Sequence, residues 1–424
     1  MHAFDFTDAN KVTSPQATIL INYLHCDLFT LRFYFLMNPM NATSDSSQLA
    51  TYQLKDPQKL TTPCLLVYPE LIASNLQEML RLAGGAQRLR PHVKTHKTSQ
   101  IIRMELEAGI TKHKCATLGE ALMLARAGAA DVLIAYPQVG PSMGLLVDLL
   151  QRFPETRFSV TVDDLSNAQQ LDKCFSERKA HIDVMLDMDS GMHRTGIAPG
   201  PLAVELYAFV SQSESLRAAG LHVYDGQNHQ PSLSDRQAAV GELMEPVLRL
   251  VRELLAAGYS VPTLVCGGTP TFPVFADLQC ADLPISIELS PGTCVLSDFN
   301  YGRDYQDMSG IRNAAVLMTR VISKPEAGRV TVDLGHKAVS PDQPAGHRSH
   351  FLWPTDAKEV GHSEEHLVLE TSQAEQLSVG DVLYAFPAHI CPTVALHSHL
   401  QVVRQGEVCD SWPVDARDRV YSGF

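Results

Sequence analysis

The densest run of side chains able to do chemistry is Arg90-Pro91-His92-Val93-Lys94-Thr95-His96-Lys97. A lysine becomes a nucleophile when burial or neighbouring cations lower its pKa, because both disfavour the ammonium. If the run is a β-strand, His92, Lys94 and His96 share one face, since alternate side chains point the same way. Two other segments, Cys266-Gly267-Gly268-Thr269-Pro270-Thr271 and Ser290-Pro291-Gly292-Thr293, suit an anion. Glycine lets backbone N–H groups come close to a phosphate, and a threonine hydroxyl adds a donor. A third pattern is Pro387-Ala388-His389-Ile390-Cys391-Pro392-Thr393. On a strand His389 and Cys391 face the same way, and an imidazole beside a thiolate suits Zn2+. His397 and His399, close by, are read as surface residues.

These segments need a scaffold that brings them to one place. After an opening strand (CLLVYP) and helix, eight strand candidates alternate with amphipathic stretches, several of which end in glycine. The strands are LRPHVKT, KHKCAT, DVLIAY, RFSVTVD, IDVMLDMD, GLHVYD, TLVCGGT and SIELSPG. That alternation predicts an α/β fold, a (β/α)8 TIM barrel, whose C-terminal strand ends carry the chemistry. The glycine–threonine turns then follow strands seven and eight, where such barrels bind phosphate. Beyond Gly292 the segments are short, β-branched and separated by turns, which predicts a C-terminal β domain. The expected organisation is an extension outside the fold over residues 1–46, a barrel over 62–291 and a β domain over 292–424. The strand near residues 62–68 is expected to complete the β domain.

RPHVKTHK resembles the pyridoxal-phosphate lysine segment of the D-serine dehydratase and D-threonine aldolase family, relatives of alanine racemase. The resemblance runs from about Thr61 onward and leaves residues 1–46 unmatched. It implies a pyridoxal 5'-phosphate-binding barrel with a C-terminal β domain, in which Lys94 is the catalytic lysine linked to the cofactor. Asp189-Ser190-Gly191-Met192-His193-Arg194-Thr195-Gly196 is similar to the family's G-M-x-R-x-G strand end, which implies Arg194 beside the cofactor's phenolic oxygen. An arginine stays charged and holds such an oxygen in fixed geometry. In Leu221-His222-Val223-Tyr224-Asp225-Gly226-Gln227-Asn228-His229 the resemblance implicates His222 and His229 as cofactor contacts. It assigns the phosphate to Thr269, Gly292 and Thr293. Dehydratase members carry H-x-C and use zinc, whereas aldolase members carry H-x-D for Mn2+ or Mg2+. His389 and Cys391 therefore imply Zn2+ and a lyase acting on 3-hydroxy-D-amino acids. D-serine dehydratase is the favoured activity and D-threonine aldolase the alternative; a racemase and a non-catalytic cofactor-binding protein rank below both. A homodimer is expected.

Composition agrees with a soluble globular protein. Of 424 residues 45% are apolar and 19% charged, unlike a disordered chain. A net charge of −13 with no basic patch excludes a nucleic-acid partner. Nine scattered cysteines without CxxC are expected as reduced thiols in the cytoplasm. Residues 18–37 are apolar but interrupted by His25, Asp27 and Arg32, so no membrane span is expected. The same region lacks the basic start and small-residue cleavage site of a signal peptide, and Met37 or Met40 is an alternative start.

Overall fold

A computed structural model describes residues 45–280 and 282–419; the extension up to residue 44 lies outside the described residues. After α1 (Asp45–Tyr52) and β1 (Cys64–Val67), seven strands pair in parallel and in sequence order. They are β2 (Lys112–Cys115), β3 (Asp131–Ile134), β4 (Arg157–Val162), β5 (Ile182–Asp189), β6 (Leu216–Tyr224), β7 (Thr263–Cys266) and β8 (Ser286–Leu289). Outside them pack α2 (Pro69–Ala83), α3 (Ser99–Glu107), α4 (Leu118–Arg126), α5 (Pro141–Arg152), α6 (Leu165–Glu177), α7 (Pro201–Gln212), α8 (Leu233–Ala256) and α9 (Phe272–Ala276). Thr117, Asp164 and Ser232 cap α4, α6 and α8 by accepting the N–H groups of Glu120, Asn167 and Asp235. Gly109, Gly128 and Gly258 lie just past α3, α4 and α8 at φ of 85°, 88° and 88°, the left-handed turn that stops a helix.

The first expected barrel strand, residues 89–95, is not regular. Pro91 has no N–H to give a ladder, and the chain turns at Val93. The segment still closes the barrel by bonding to both edges of the curled sheet. Arg90 and His92 donate to the carbonyls of Leu289 and Pro291, both at 2.8 Å, and Val93 donates to Lys114 at 2.9 Å. Lys114 returns a bond to the Pro91 carbonyl at 2.8 Å. Leu133, Met185, Ala219 and Val265 fill the middle of the barrel.

Ion pairs close the N-terminal end. Buried Arg90 bonds Glu288 at 2.6 Å and Asp131 at 2.7 Å, and Lys112 meets the other Glu288 oxygen at 2.5 Å. Asp183 joins Arg157 and Arg217. Burial works against the Arg90 charge, but Glu288 and Asp131 outweigh it and raise its pKa.

The second sheet runs β12-β13-β10-β9-β1-β15-β16, with β14 pairing β9 and β11. Its strands are β9 (Ala315–Ser323), β10 (Arg329–Val332), β11 (Ser349–Phe351), β12 (Lys358–His362), β13 (Leu367–Glu370), β14 (Val382–Pro387), β15 (His399–Arg404) and β16 (Glu407–Pro413). β1 lies between β9 and β15, antiparallel to one and parallel to the other, so residues 64–67 belong to this sheet although they precede the barrel. Helix α10 (Phe299–Asp304) lies between β8 and β9, and α11 (Ile390–Leu396) joins β14 to β15. Tyr52 of α1 packs edge-on against Tyr68 and Phe386, with ring centroids 5.2 and 5.1 Å apart. Among the described residues no helix is long and apolar enough to cross a membrane. Arg90→Met leaves Glu288 and Asp131 without their buried partner and should cost about 3–5 kcal/mol in urea unfolding. Lys112→Met, at a side chain 25% exposed against 3% for Arg90, should cost clearly less, and equal losses would refute the ranking.

Candidate active site

Lys94 sits where the closing segment turns. His96 and Lys97 both donate backbone N–H groups to the Val93 carbonyl, at 3.2 and 2.9 Å, and Lys97 has φ of 51°. Strand alternation therefore ends at Val93, and the shared face expected for His92, Lys94 and His96 does not form. His92 stays at the mouth, its Nδ1 accepting the Lys94 N–H at 3.3 Å. His96 is instead buried outside the barrel, 3.8 Å from Glu105, with its Nδ1 accepting the Thr98 N–H.

Tyr224, at the end of β6, marks the centre of the mouth. The amines of Lys94 and Lys114 lie 5.7 and 5.5 Å from its ring centroid, and the exposed Arg194 guanidinium lies 5.0 Å away. Lys114 is almost fully buried and reaches His222 Nε2 at 3.3 Å; His222 Nδ1 meets Asp187 at 2.7 Å. Burial first, and then the Lys94 charge, lower Lys114 to about 7. Burial and Lys114 likewise lower His222, which is held as a neutral imidazole. Burial lifts the Asp225 carboxyl to about 6.

The two glycine–threonine loops meet as their spacing predicts. Thr269 Oγ1 accepts the N–H groups of Gly292 at 3.1 Å and Thr293 at 3.0 Å. Two N–H donors converging beside a hydroxyl are the groups that hold a phosphoryl oxygen. A Cβ on Gly292 would stand 3.1 Å from the His92 carbonyl, so a larger residue fits only if the lysine segment gives way. An amine-bearing lysine, a second buried amine and this cradle fit an aldehyde that carries a phosphate.

His389 and Cys391 meet through a different local structure from the expected strand. β14 ends at Pro387, His389 precedes α11, and Cys391 lies in the first turn of that helix. Their side chains lie close enough to shift each other's titration. Asp342 holds His389 Nδ1 at 2.5 Å, the carboxylate–imidazole arrangement that orients a metal-binding histidine. Burial opposes the His389 cation, but Cys391 and Asp342 outweigh it and raise the imidazole to about 9. Burial raises the Cys391 thiol, and His389 more than reverses that. Thr95 and Thr293 hydroxyls lie 3.1 and 3.4 Å from Cys391 Sγ, tying this pair to the lysine segment and the phosphate-type loop. Among the described residues no three His, Cys, Asp or Glu side chains form a metal cluster.

A cleft of about 790 Å3 joins Lys94 to the His389–Cys391 pair, lined also by Gln138, Tyr136 and Asp342 among others. His229 is exposed, and among the described residues only its backbone carbonyl is bonded, by Tyr305. His397, expected at the surface, is half-buried and donates to the Ala338 carbonyl at 2.8 Å. Sequence reasoning overlooked Lys114, Asp187, Thr95 and Asp342. Strand alternation from Asp189 back to Asp187 could have found one of them; Asp342 lies in a loop with no such signal.

The profile of the alanine racemase N-terminal domain matches residues 68–284, half of the chain. The chain belongs to this family. A second profile, for a putative serine dehydratase domain, matches residues 314–403 and so includes Asp342, His389 and Cys391. The resemblance expected from RPHVKTHK is borne out, as is the barrel with its β domain. A D-threonine aldolase from Arthrobacter sp is 28% identical over 362 residues, covering 85% of this chain and 93% of that one. The structure of D-threonine aldolase from Filomicrobium marinum matches with a TM-score of 0.76 and 28% identity, covering 85% and 97% of the two chains. D-threo-3-hydroxyaspartate dehydratase shares the fold at a TM-score of 0.73 and 22% identity, covering 84% and 97%. Its solved forms include a metal-free variant with alanine replacing a cysteine, and a variant with alanine replacing the histidine two positions earlier. Gly292→Ala should push the His92–Thr95 segment and cost about 1–3 kcal/mol. A melting temperature equal to that of the native protein would show that the segment gives way freely.

Proposed function

We propose that the protein is a pyridoxal-phosphate- and divalent-metal-dependent lyase of 3-hydroxy-D-amino acids that eliminates water, as a D-serine dehydratase does. The observation carrying this reading is Cys391 with His389 in the cleft that Lys94 also lines. Lys94 would carry the cofactor, Thr269, Gly292 and Thr293 its phosphate, and Arg194 and His222 its ring; His229, exposed, is the weakest member of that set. Pyridoxal phosphate, when bound, supplies the sink for the electron pair released at Cα. A cation held by His389 and Cys391 would supply Lewis acidity to the 3-hydroxyl, and a thiolate ligand favours Zn2+ over Mn2+ or Mg2+. The same residue types at the same spacing, with a metal-free cysteine variant, occur in the hydroxyaspartate dehydratase and support this.

Lys94 performs the central proton step. Its Nζ would take the Cα proton of the substrate, and loss of the 3-hydroxyl would lead to ammonia and a 2-oxo acid. The second reading is the retro-aldol cleavage of a D-threonine aldolase, favoured by the 28% identity to such an enzyme. In that case the Cα–Cβ bond breaks and glycine and an aldehyde result. A homodimer belongs to this reading, supported by Tyr136 and Val139, exposed apolar side chains at the cleft. Free thiols at every described cysteine are consistent with a cytoplasmic setting.

D-threonine, assayed with and without a chelator, should give ammonia and 2-oxobutanoate only in the chelator's absence. Glycine and acetaldehyde in their place would establish the aldolase. Lys94→Ala should lose the visible absorbance of the bound cofactor. Cys391→Ala should keep that absorbance while losing metal and turnover, and normal turnover in this variant would remove the metal from the reaction.

A further inference from the structure

A lysine that takes the Cα proton must lose it again before its amine can bond to carbon. That requirement rests on the lyase reading above, and Lys94 has an unassigned neighbour able to meet it. Lys114 lies on β2, inside the barrel, and is only 2% exposed. Its amine reaches the same Tyr224 ring as the Lys94 amine, at 5.5 against 5.7 Å.

We propose that Lys114 is the second acid–base group of this site, taking up the proton that Lys94 Nζ has accepted and releasing it to solvent, with His222 and Asp187 holding its amine in place. Hydrogen bonds hold the Lys114 amine in place. Lys114 Nζ is 3.3 Å from His222 Nε2, and His222 Nδ1 is 2.7 Å from Asp187. The Asp187 carboxylate holds the Nδ1 proton, so Nε2 presents a lone pair to Lys114. The other Asp187 oxygen accepts the hydroxyl of Thr195, an exposed residue, at 2.9 Å. The charge and proton balance is simple. One proton leaves Cα and travels by Lys94 and Lys114 to solvent; hydroxide leaves Cβ with the bonding pair; together they make one water.

The electrostatics of the pocket suit a proton acceptor. Lys94 and His92 face Lys114 from the closing segment, His222 and Asp225 from β6, Asp187 from β5 and Cys266 from β7. Burial and the Lys94 charge favour the neutral amine; Asp187, Asp225 and Cys266 oppose them, and the balance falls at about 7. A group lowered to that value is neutral and able to accept a proton above about pH 7, and charged and unable to accept one below it. Turnover should therefore fall as the pH drops through that value.

Lys114→Met tests this in the holoenzyme. The expected variant keeps the visible absorbance of the bound cofactor, loses about a hundredfold in kcat and loses the decline below neutral pH. Lys114→Arg, permanently charged, should not restore turnover. A Met variant with native kcat and a native pH profile overturns the proposal. An independent reading comes from protein labelled with 13C at lysine Cε, where the resonance missing from Lys114→Met identifies Lys114. Its midpoint should lie near neutrality; one near the ordinary lysine value of about 10.4 overturns the proposal without any assay. Native protein that turns over no 3-hydroxy-D-amino acid removes the functional reading, while the resonance still decides the state of Lys114.

Discussion

A curled parallel sheet has two edges, and every buried N–H and C=O on them must find a partner. Here one short segment, Leu89–Val93, satisfies the edges at β8 and β2 together. The rest of the molecule follows from how it does so. Arg90, at the segment's start, points to the bottom of the barrel and joins Glu288 and Asp131. Pro91 gives no N–H, Val93 receives two, and the chain turns there. Lys94 is thereby delivered to the mouth within four residues of the arginine that closes the base. The segment is both the last stave of the barrel and the mount for Lys94.

The two ends of the barrel are balanced differently. At the base each buried charge has an opposite partner in direct contact, and Arg90 keeps its charge despite burial. At the mouth Lys94, Lys114 and Arg194 surround one aromatic ring, and Asp187 reaches Lys114 only through His222. Part of that excess positive charge is relieved by lowering Lys114. On the proposed reading an anionic, phosphate-bearing ligand would relieve the rest, held by the Gly292 and Thr293 N–H groups that now bond Thr269. Conservation of charge at the base and imbalance at the mouth separate what stabilises the barrel from what it can bind.

The barrel and the second sheet were legible because strand and helix periods alternate cleanly from Thr61 onward, with glycines stopping several helices. The Thr269 and Gly292–Thr293 cradle was legible for a related reason: loops after strands seven and eight have a fixed place in such a barrel. Residue types and spacing failed where a local turn replaced the strand period. His96 left the mouth because Val93 starts a turn, and His389 with Cys391 met at a helix start instead of along a strand. Lys114 was missed for another reason: a lysine on an apolar strand reads as surface until the barrel closes round it. Asp342 meets His389 across a long stretch of chain with no periodic signal between them.

The metal-type pair belongs to the second sheet, yet it must face a lysine on the barrel, and the chain path makes that alignment rigid. β1 lies in the second sheet and runs straight into α2, while β9 leaves the barrel and returns to pair with β1. The barrel is therefore held at both its entry and its exit by neighbouring strands of one sheet. Asp298, buried between the two parts, completes the link. One of its oxygens caps α10 through the Tyr301 N–H at 3.0 Å, and the other accepts the Ile390 N–H at 3.1 Å, between His389 and Cys391. With Thr95 and Thr293 against Cys391, three segments far apart in sequence fix one sulfur relative to Lys94. A reaction in which one group takes a proton from Cα while another polarises the oxygen on Cβ needs those two groups at a constant separation. The sheet that brackets the barrel is what keeps that separation constant.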